Sequence, residues 1–237
     1  MYFKNTTILA IQKAFLQRGI ELRYLDTCSS SNDLVRNWAQ DGWRGVLIVG
    51  QQTSGKGRLQ RVWYSQKDKN LLFSWVLDVH CAIDMVPRIP LLIAAKIASV
   101  LGIYLKWPND LVDNQYRKMG GILSSILEIG ENVHTIIVGV GLNINQTEFG
   151  DVANAISLKQ ILEQEDDIDI LDVFVRVFSA LEHMDMTASL DTWKKYSLTI
   201  GRSVRINGIE GVVEGILEDG ALIVDGHIIR TGDVHLL

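Results

Sequence analysis

Short apolar runs with β-strand character, each ending in glycine and polar residues, commit this chain to a fold built on a β-sheet. Val46 to Val49 is a continuous apolar run typical of a buried strand, and the glycine-rich segment Gly50 to Gly57 follows it directly. Further strands are predicted at Glu21 to Leu25, Asn70 to Val79, Ile103 to Trp107, Gly121 to Ile129 and Val133 to Val140.

Segments with helical spacing of apolar residues alternate with these strands. Helices are predicted over Asn5 to Arg18, Asp33 to Gln40 and Leu91 to Leu101. A further helix carries a long apolar face formed by Ile170, Val173, Phe174, Val177, Phe178 and Leu181. The mixture of helices and strands predicts an α+β fold.

The pattern changes near Ile200. From Arg202 to the last residue, short β-type runs alternate with the hairpin-turn dipeptides Asn207-Gly208, Asp219-Gly220 and Asp225-Gly226. A unit of this size with three such turns predicts a small β-barrel that would be marginally stable alone.

Composition narrows the class of protein. The 237 residues are 47% hydrophobic and 22% charged, with a net charge of −5 and a pI near 5.5. The acidic balance argues against a broad nucleic-acid-binding surface. Cys28 and Cys81 have neither metal-ligand spacing nor a disulfide framework, no signal peptide is visible, and the apolar stretch from Pro90 to Ile103 is too short to span a bilayer. We therefore expect a cytoplasmic protein without a nucleic-acid or membrane partner.

The segment Gly50 to Gly57 nearly satisfies the phosphate-binding P-loop pattern but differs from it in two respects. Glycine stands at the position of the Mg²⁺-binding hydroxyl, and no helical apolar period follows. A flexible cationic loop fits better, because Lys56, Arg58 and Arg61 carry positive charge and Trp63 offers an aromatic face. A solvated basic loop beside a core tryptophan is the alternative.

Two more clusters favour a binding site. Lys106 to Asp110 reads Lys-Trp-Pro-Asn-Asp at the end of a strand, where such residues rarely serve packing alone, and Lys118 precedes the paired glycines Gly120 and Gly121. A third cluster, Gly139 to Asn145, ends a strand with Asn143, which taken singly is more often a structural asparagine.

Together, in this order and spacing, these clusters strongly resemble the biotin protein ligases. That family shows Q-[TSQ]-[AS]-G-R-G-R-x-x-R-x-W, K-W-P-N-D-L, K-x-[GA]-G-I-L and G-x-G-x-N. The matching segments are Gln52 to Trp63, Lys106 to Leu111, Lys118 to Leu123 and Gly139 to Asn143, with Ser30-Ser31-Asn32 matching the family's S-T-N loosely.

The resemblance implies an architecture: a mixed-sheet, class II synthetase-like catalytic domain over residues 1–198, followed by an SH3-like barrel over residues 199–237. It also implies the short class without an N-terminal DNA-binding domain. The chain departs from the family at Lys56, where arginine is usual, and at Ser31, where threonine is usual. It ends at Leu236-Leu237, where some members place an arginine near the nucleotide.

The implied activity is ATP-dependent formation of biotinyl-5'-AMP and transfer of biotin to a lysine of a biotin carboxyl carrier protein. The implied catalytic residues are Arg58, Lys118 and Asp110. The implied biotin-binding residues are Ser30, Ser31, Asn32, Gln52, Gly55, Arg58, Lys118, Gly121 and Leu123. Those for ATP and the adenylate are Lys56, Gly57, Arg58, Arg61, Trp63, Asn109, Lys118 and Asn143.

Mg²⁺ is expected with ATP, held more by the phosphates than by dedicated side chains, and a homodimer is possible. Two alternatives stay open: a lipoate or octanoate ligase of the sister family, and a non-catalytic biotin- or adenylate-binding protein.

Overall fold

The computed structural model describes residues 2–131, 133–150 and 152–237. The first nine strands are β1 (Glu21–Leu25), β2 (Gly45–Val49), β3 (Gly55–Lys56), β4 (Val62–Trp63), β5 (Asn70–Val79), β6 (Tyr104–Lys106), β7 (Asp110–Val112), β8 (Lys118–Ile129) and β9 (His134–Asn143). The helices are α1 (Tyr2–Gln17), α2 (Ser31–Gln40), α3 (Ile89–Leu101), α4 (Leu158–Ile161), α5 (Ile170–Leu181) and α6 (Asp191–Tyr196).

A mixed seven-stranded sheet forms the centre of the molecule, with strand order β1-β2-β5-β9-β8-β7-β6. β1 pairs parallel to β2, and every other pair in this sheet is antiparallel. The predicted α+β class with a mixed sheet is confirmed. Each predicted strand and each of the four predicted helices is present, with ends that differ by a few residues.

The continuous apolar run of β2 has a simple cause, since this strand is buried on both faces. Val46 and Ile48 belong to the large apolar core on one side of the sheet, with α1, α3 and α5. Leu47 and Val49 belong to a smaller core on the other side, beneath α2. Because α2 covers only part of that second face, the neighbouring strands β8 and β9 remain accessible there.

A second sheet follows, made of β10 (Ser203–Ile206), β11 (Ile209–Ile216), β12 (Leu222–Val224), β13 (His227–Ile229) and β14 (His235–Leu236). Its strands are antiparallel, in the order β13-β12-β11-β10-β14. In two of the predicted turns, at Asn207-Gly208 and Asp225-Gly226, both residues have positive φ, as a two-residue hairpin requires. The edge strands β13 and β14 do not pair with each other in the described chain, so the expected barrel stays open there.

The two sheets share one apolar cluster. Val204 and Leu222 of the second sheet pack in the same core as Leu91 and Trp107. The Trp107 indole also donates a hydrogen bond to the Gly220 carbonyl over 3.0 Å. The predicted boundary between residues 198 and 199 stays a prediction. None of the described helices combines the length and the apolar character that crossing a bilayer requires.

Candidate active site

A cleft of about 320 Å³ opens on the face of the large sheet that α2 leaves uncovered. Its floor is formed by β8 and β9, and its walls are the N-terminus of α2, the turn between β6 and β7, and the end of the second sheet. The β3–β4 hairpin, with the 3-10 turn Arg58–Gln60 at its tip, contributes further walls. The residues directly after Gly57 form this 3-10 turn and then β4, whereas a P-loop continues directly into an α-helix.

Polar side chains meet at one end of the cleft. The Gln52 side-chain oxygen Oε1 accepts hydrogen bonds from the Ser31 backbone N–H over 2.7 Å and from the Ser31 hydroxyl over 3.1 Å. Ser74 Oγ, fully buried in β5, lies 2.7 Å from Ser31 Oγ and 2.5 Å from Asn32 Oδ1. The Asn32 amide donates to the Leu123 carbonyl over 3.3 Å. These bonds hold the start of α2 against the sheet in one arrangement.

Two glycines of β9 make room for the side chains above them. A Cβ at Gly139 would lie 2.3 Å from Asn32 Oδ1, and a Cβ at Gly141 would lie 2.7 Å from the Trp63 ring. Both glycines face the same side of the strand, because side chains alternate along a strand. Gly139 therefore admits Asn32, while Gly141 admits the indole of the hairpin.

An ion pair lies farther along the cleft. Lys118 Nζ and Asp110 Oδ1 are 2.5 Å apart, and both side chains are partly exposed, at 38% and 23%. The Lys118 ammonium also lies 5.9 Å from the centre of the Trp63 ring. Asp110 pairs in register with Gly121 of β8, so the ion pair lies at the start of β8, next to the floor glycines.

Each cation of the hairpin has a carboxylate partner. Lys56 Nζ lies 2.6 Å from Asp33 Oδ2 on α2. Arg61 Nη2 lies 2.5 Å from Asp233 Oδ2, and Arg58 Nη1 lies 3.5 Å from Asp233 Oδ1. Arg58 also lies 3.5 Å from the Asn109 side-chain oxygen. The hairpin is thus tied to α2 on one side and to the second sheet on the other.

Lys106 is the cleft cation without an ion-pair partner among the described residues. It lies directly across from Asp110 in the β6–β7 pair. Side chains of such directly opposed residues lie within reach of each other. Because Arg58 and Arg61 also share the one carboxylate of Asp233, the cleft has more cationic than anionic side chains.

Cys28 borders the polar end of the cleft, since its backbone forms a bridge with Gln52. Burial raises the pKa of the Cys28 thiol above its ordinary value, and the nearby Asp33 carboxylate raises it further. The thiol therefore stays protonated near neutral pH. A neutral thiol is a weak nucleophile.

Known proteins similar to this chain include enzymes of one family. The sequence profile of the biotin/lipoate A/B protein ligase family matches residues 27–143. The bifunctional ligase/repressor BirA of Bacillus subtilis is 29% identical over 233 residues, covering 87% of this chain and 70% of the relative. The chain is similar to this family over just under half of its length.

Two further proteins are similar to this chain over most of its length. The biotin–[acetyl-CoA-carboxylase] ligase of Mycobacterium tuberculosis is 26% identical over 216 residues, covering 80% of this chain and 77% of that protein. The structure of biotin protein ligase from Aquifex aeolicus in complex with biotin and ATP superposes with a TM-score of 0.72 at 25% identity. It covers 91% of this chain and 98% of the Aquifex chain.

Nearly all residues predicted for the ligase site line the one cleft. They are Ser30, Ser31, Asn32, Gln52, Lys56, Gly57, Arg58, Arg61, Trp63, Asn109, Asp110, Lys118, Gly121, Leu123 and Asn143. Gly55 does not line the cleft. Its backbone packs closely within the hairpin, since a Cβ there would lie 2.8 Å from the Trp63 carbonyl oxygen and 3.3 Å from the Gln52 amide nitrogen. Ser30 also caps α2, because its hydroxyl accepts from the Asp33 N–H.

Asn143 has a clear structural task. It is buried, and its amide donates to the Ile156 carbonyl over 3.2 Å and lies 3.4 Å from the Lys118 carbonyl. These bonds secure the backbone beside Lys118, in line with the structural alternative. Its predicted contact with the nucleotide stays a prediction.

Sequence analysis assigned no role to three polar residues at or behind this cleft. Lys106 and Asp233 line the cleft, and Ser74 is buried behind its polar end. Ser74 had a visible signal, because it is a hydroxyl in the middle of an apolar strand. Lys106 stood within a quoted motif but received no role. Asp233 had no signal, since its position in the cleft depends on how the second sheet packs beside the hairpin.

Proposed function

We propose that this chain is a biotin protein ligase that forms biotinyl-5'-AMP from biotin and ATP and transfers the biotinyl group to a lysine of a carrier protein. Similarity to the biotin/lipoate A/B protein ligase family over residues 27–143, and to proteins named as biotin ligases, supports this activity. One observation carries the proposal: a single cleft holds polar side chains at one end and cationic side chains at the other. The polar side chains, here called the polar cradle, are Ser31, Asn32 and Gln52.

The polar cradle suits the ureido ring of biotin. That ring has a carbonyl acceptor and two N–H donors, and Ser31, Asn32 and Gln52 provide side chains of both kinds. The valeryl chain would then run over Gly121 towards Lys118. A lipoyl or octanoyl group can form no such hydrogen bonds, so it would gain nothing from these side chains. This favours biotin over the sister substrates.

In the first step, a biotin carboxylate oxygen attacks the α-phosphorus of ATP, and the bond to the bridging oxygen breaks as pyrophosphate leaves. Both reactants are anionic, so cations are needed where charge accumulates. We assign Lys118 to the carboxylate and the α-phosphate. Arg58, with Lys56 and Arg61, is assigned to the phosphates. Mg²⁺ enters with ATP as part of the substrate complex.

In the second step, the amine of the carrier lysine attacks the acyl carbon, and AMP leaves. A lysine amine is mostly protonated at neutral pH, so it must lose a proton before it can attack. Asp110 is the candidate base, or the group that orients the amine. Its ion pair with Lys118 means that a new partner for Lys118, such as the adenylate, would leave the carboxylate available.

Trp63 and Asn109 are assigned to the nucleotide side together with Asn143. The hairpin that carries Trp63 would cover the adenylate and exclude water, which would otherwise hydrolyse it. The partner protein is proposed to be the biotin carboxyl carrier domain of a biotin-dependent carboxylase.

The deciding experiment is exchange of labelled pyrophosphate into ATP with biotin, lipoate or octanoate as the acid. Exchange with biotin alone would support the proposal. Exchange only with lipoate or octanoate would assign the chain to the other branch of the family. No exchange with any of the three acids would contradict the adenylation step.

A further inference from the structure

A carboxylate lies where the proposed nucleotide phosphates would need cations. Asp233 lines the cleft at the end of the second sheet, and its side chain is 24% exposed. Its two oxygens lie 2.5 Å from Arg61 Nη2 and 3.5 Å from Arg58 Nη1. The preceding Gly232 carbonyl accepts a further bond from Arg58 over 3.2 Å. Both arginines of the hairpin are thus already engaged by an anion.

The backbone that carries Asp233 is tightly fitted. The Asn207 amide donates to the Thr231 carbonyl over 2.7 Å. Gly232 has a φ of 138°, and a Cβ there would lie 2.7 Å from the Ile206 side chain. This conformation favours glycine, and the space leaves no room for a side chain. Asp233 is therefore held by the second sheet and does not depend on the hairpin for its position.

The hairpin tip, in contrast, is strained. Leu59 and Gln60, the two residues between the arginines, both have left-handed backbone conformations, with φ of 53° and 60°. Such conformations are costly for residues other than glycine and persist only when the surroundings enforce them. Here the flanking arginines are both bound to Asp233, which holds the tip in this shape.

We propose that the Asp233 carboxylate binds Arg58 and Arg61 in the way a substrate phosphate would. It therefore competes with the phosphate chain of the nucleotide for these two arginines. This rests on the proposed function, because the competing ligand is the phosphate chain of ATP or the pyrophosphate product. Binding of ATP displaces Asp233 from Arg58 and Arg61. After the adenylate forms, Asp233 competes again for the arginines and promotes departure of pyrophosphate. Asp233 is thus a positioning residue that acts through the two arginines.

The test is calorimetric binding of inorganic pyrophosphate with Mg²⁺ to the full chain and to three variants. Asp233→Asn removes the competing charge and is expected to tighten binding by about twofold to fivefold, the upper part of the range for loss of partly exposed ion pairs. Asp233→Glu keeps the carboxylate and is expected to bind as the parent does. Glu210→Gln removes a carboxylate of the same sheet that pairs with Arg205, and serves as the matched control.

Weaker or unchanged pyrophosphate binding by Asp233→Asn would overturn the proposal, as would an equal gain in Glu210→Gln. Weaker binding would identify Asp233 as a support that aligns the arginines for the phosphates. In pyrophosphate exchange, Asp233→Asn is also expected to lower the KM for ATP and to increase inhibition by pyrophosphate. If the parent chain shows no biotin-dependent exchange, the proposed function fails, while the binding comparison still decides the role of Asp233.

Discussion

Ser74 shows how much a single buried hydroxyl can organise. Its oxygen touches both Ser31 and Asn32, which are side chains of the proposed biotin cradle, and no part of it reaches solvent. Buried polar groups need partners, so this serine cannot be a neutral packing residue. The serine within an apolar strand was a usable sequence signal, whereas its partners could be known only from the packing of α2 on the sheet.

Replacement of Ser74 by alanine is expected to weaken biotin binding about tenfold. Loss of the hydroxyl leaves Ser31 and Asn32 short of a partner, which costs about 1–3 kcal/mol. Calorimetry with biotin measures the effect, and Ser99→Ala is the control, because its hydroxyl binds the Lys96 carbonyl on the exposed side of α3. Equal affinities for the parent and the Ser74 variant would contradict the assigned role.

The Lys118–Asp110 pair allows the two chemical steps to be separated. Lys118→Ala is expected to reduce biotin-dependent pyrophosphate exchange by at least about a hundredfold, because charge on the α-phosphate loses its cation. Asp110→Asn is expected to slow transfer from preformed adenylate by about 10²–10⁴-fold, the usual range for a lost general base. Near-normal exchange in the first variant, or unchanged single-turnover transfer in the second, would remove that residue from the mechanism.

At the scale of elements, β9 contributes a separate glycine to each of two parts of the cleft. Gly139 and Gly141 lie on one face of the strand, below Asn32 and Trp63 respectively. The glycine spacing was visible in the sequence as Gly-Val-Gly, but its meaning depends on which side chains lie above each position. The β3–β4 hairpin was predicted as a loop, because its strands have two residues each and show no periodicity.

Replacement of each β9 glycine by alanine should therefore impair a different ligand. Gly139 lies on the proposed biotin side, and Gly141 lies on the proposed nucleotide side. Gly139→Ala is expected to weaken biotin binding at least tenfold, because Asn32 must move. Gly141→Ala is expected to leave biotin affinity within about twofold and to raise the KM for ATP, because Trp63 is displaced. These effects are order-of-magnitude expectations from steric overlap in a packed site.

The control for this pair is Gly215→Ala in the second sheet, where a Cβ meets no atom within 4 Å. Calorimetry with biotin and exchange kinetics with ATP measure the two halves separately. Identical profiles for both β9 variants would show that the cleft does not divide in this way.

At the scale of the whole molecule, the two sheets are expected to unfold together. The apolar cluster runs from the large sheet into the second one, and Ile206 is fully buried within it. Trp107 and Gly220 add a buried hydrogen bond across the same contact. The second sheet therefore contributes to the stability of the cleft as well as to its wall.

Ile206→Ala is expected to destabilise the entire chain by about 2–5 kcal/mol, the usual range for a large-to-small change in a core. All six tryptophans precede residue 199, so their fluorescence mainly reports the part of the chain before the second sheet, with Trp107 at the contact between the two. A lower midpoint by both fluorescence and far-ultraviolet circular dichroism is expected in urea. A fluorescence midpoint equal to that of the parent would show that the sheets unfold independently.

The sequence by itself determined the element types, the α+β class and the motif residues that meet in the cleft. It could do so because periodicity, turn dipeptides and glycine-rich strand ends are local properties of the chain. The tertiary structure alone decided that Ser74 supports the cradle, that Lys106 lacks a carboxylate, and that Asp233 reaches the arginines of the hairpin. Asp233 is 172 residues from Arg61 in the chain. No local pattern encodes such a contact, because it arises when α2, the hairpin and the second sheet pack around one face of the central sheet.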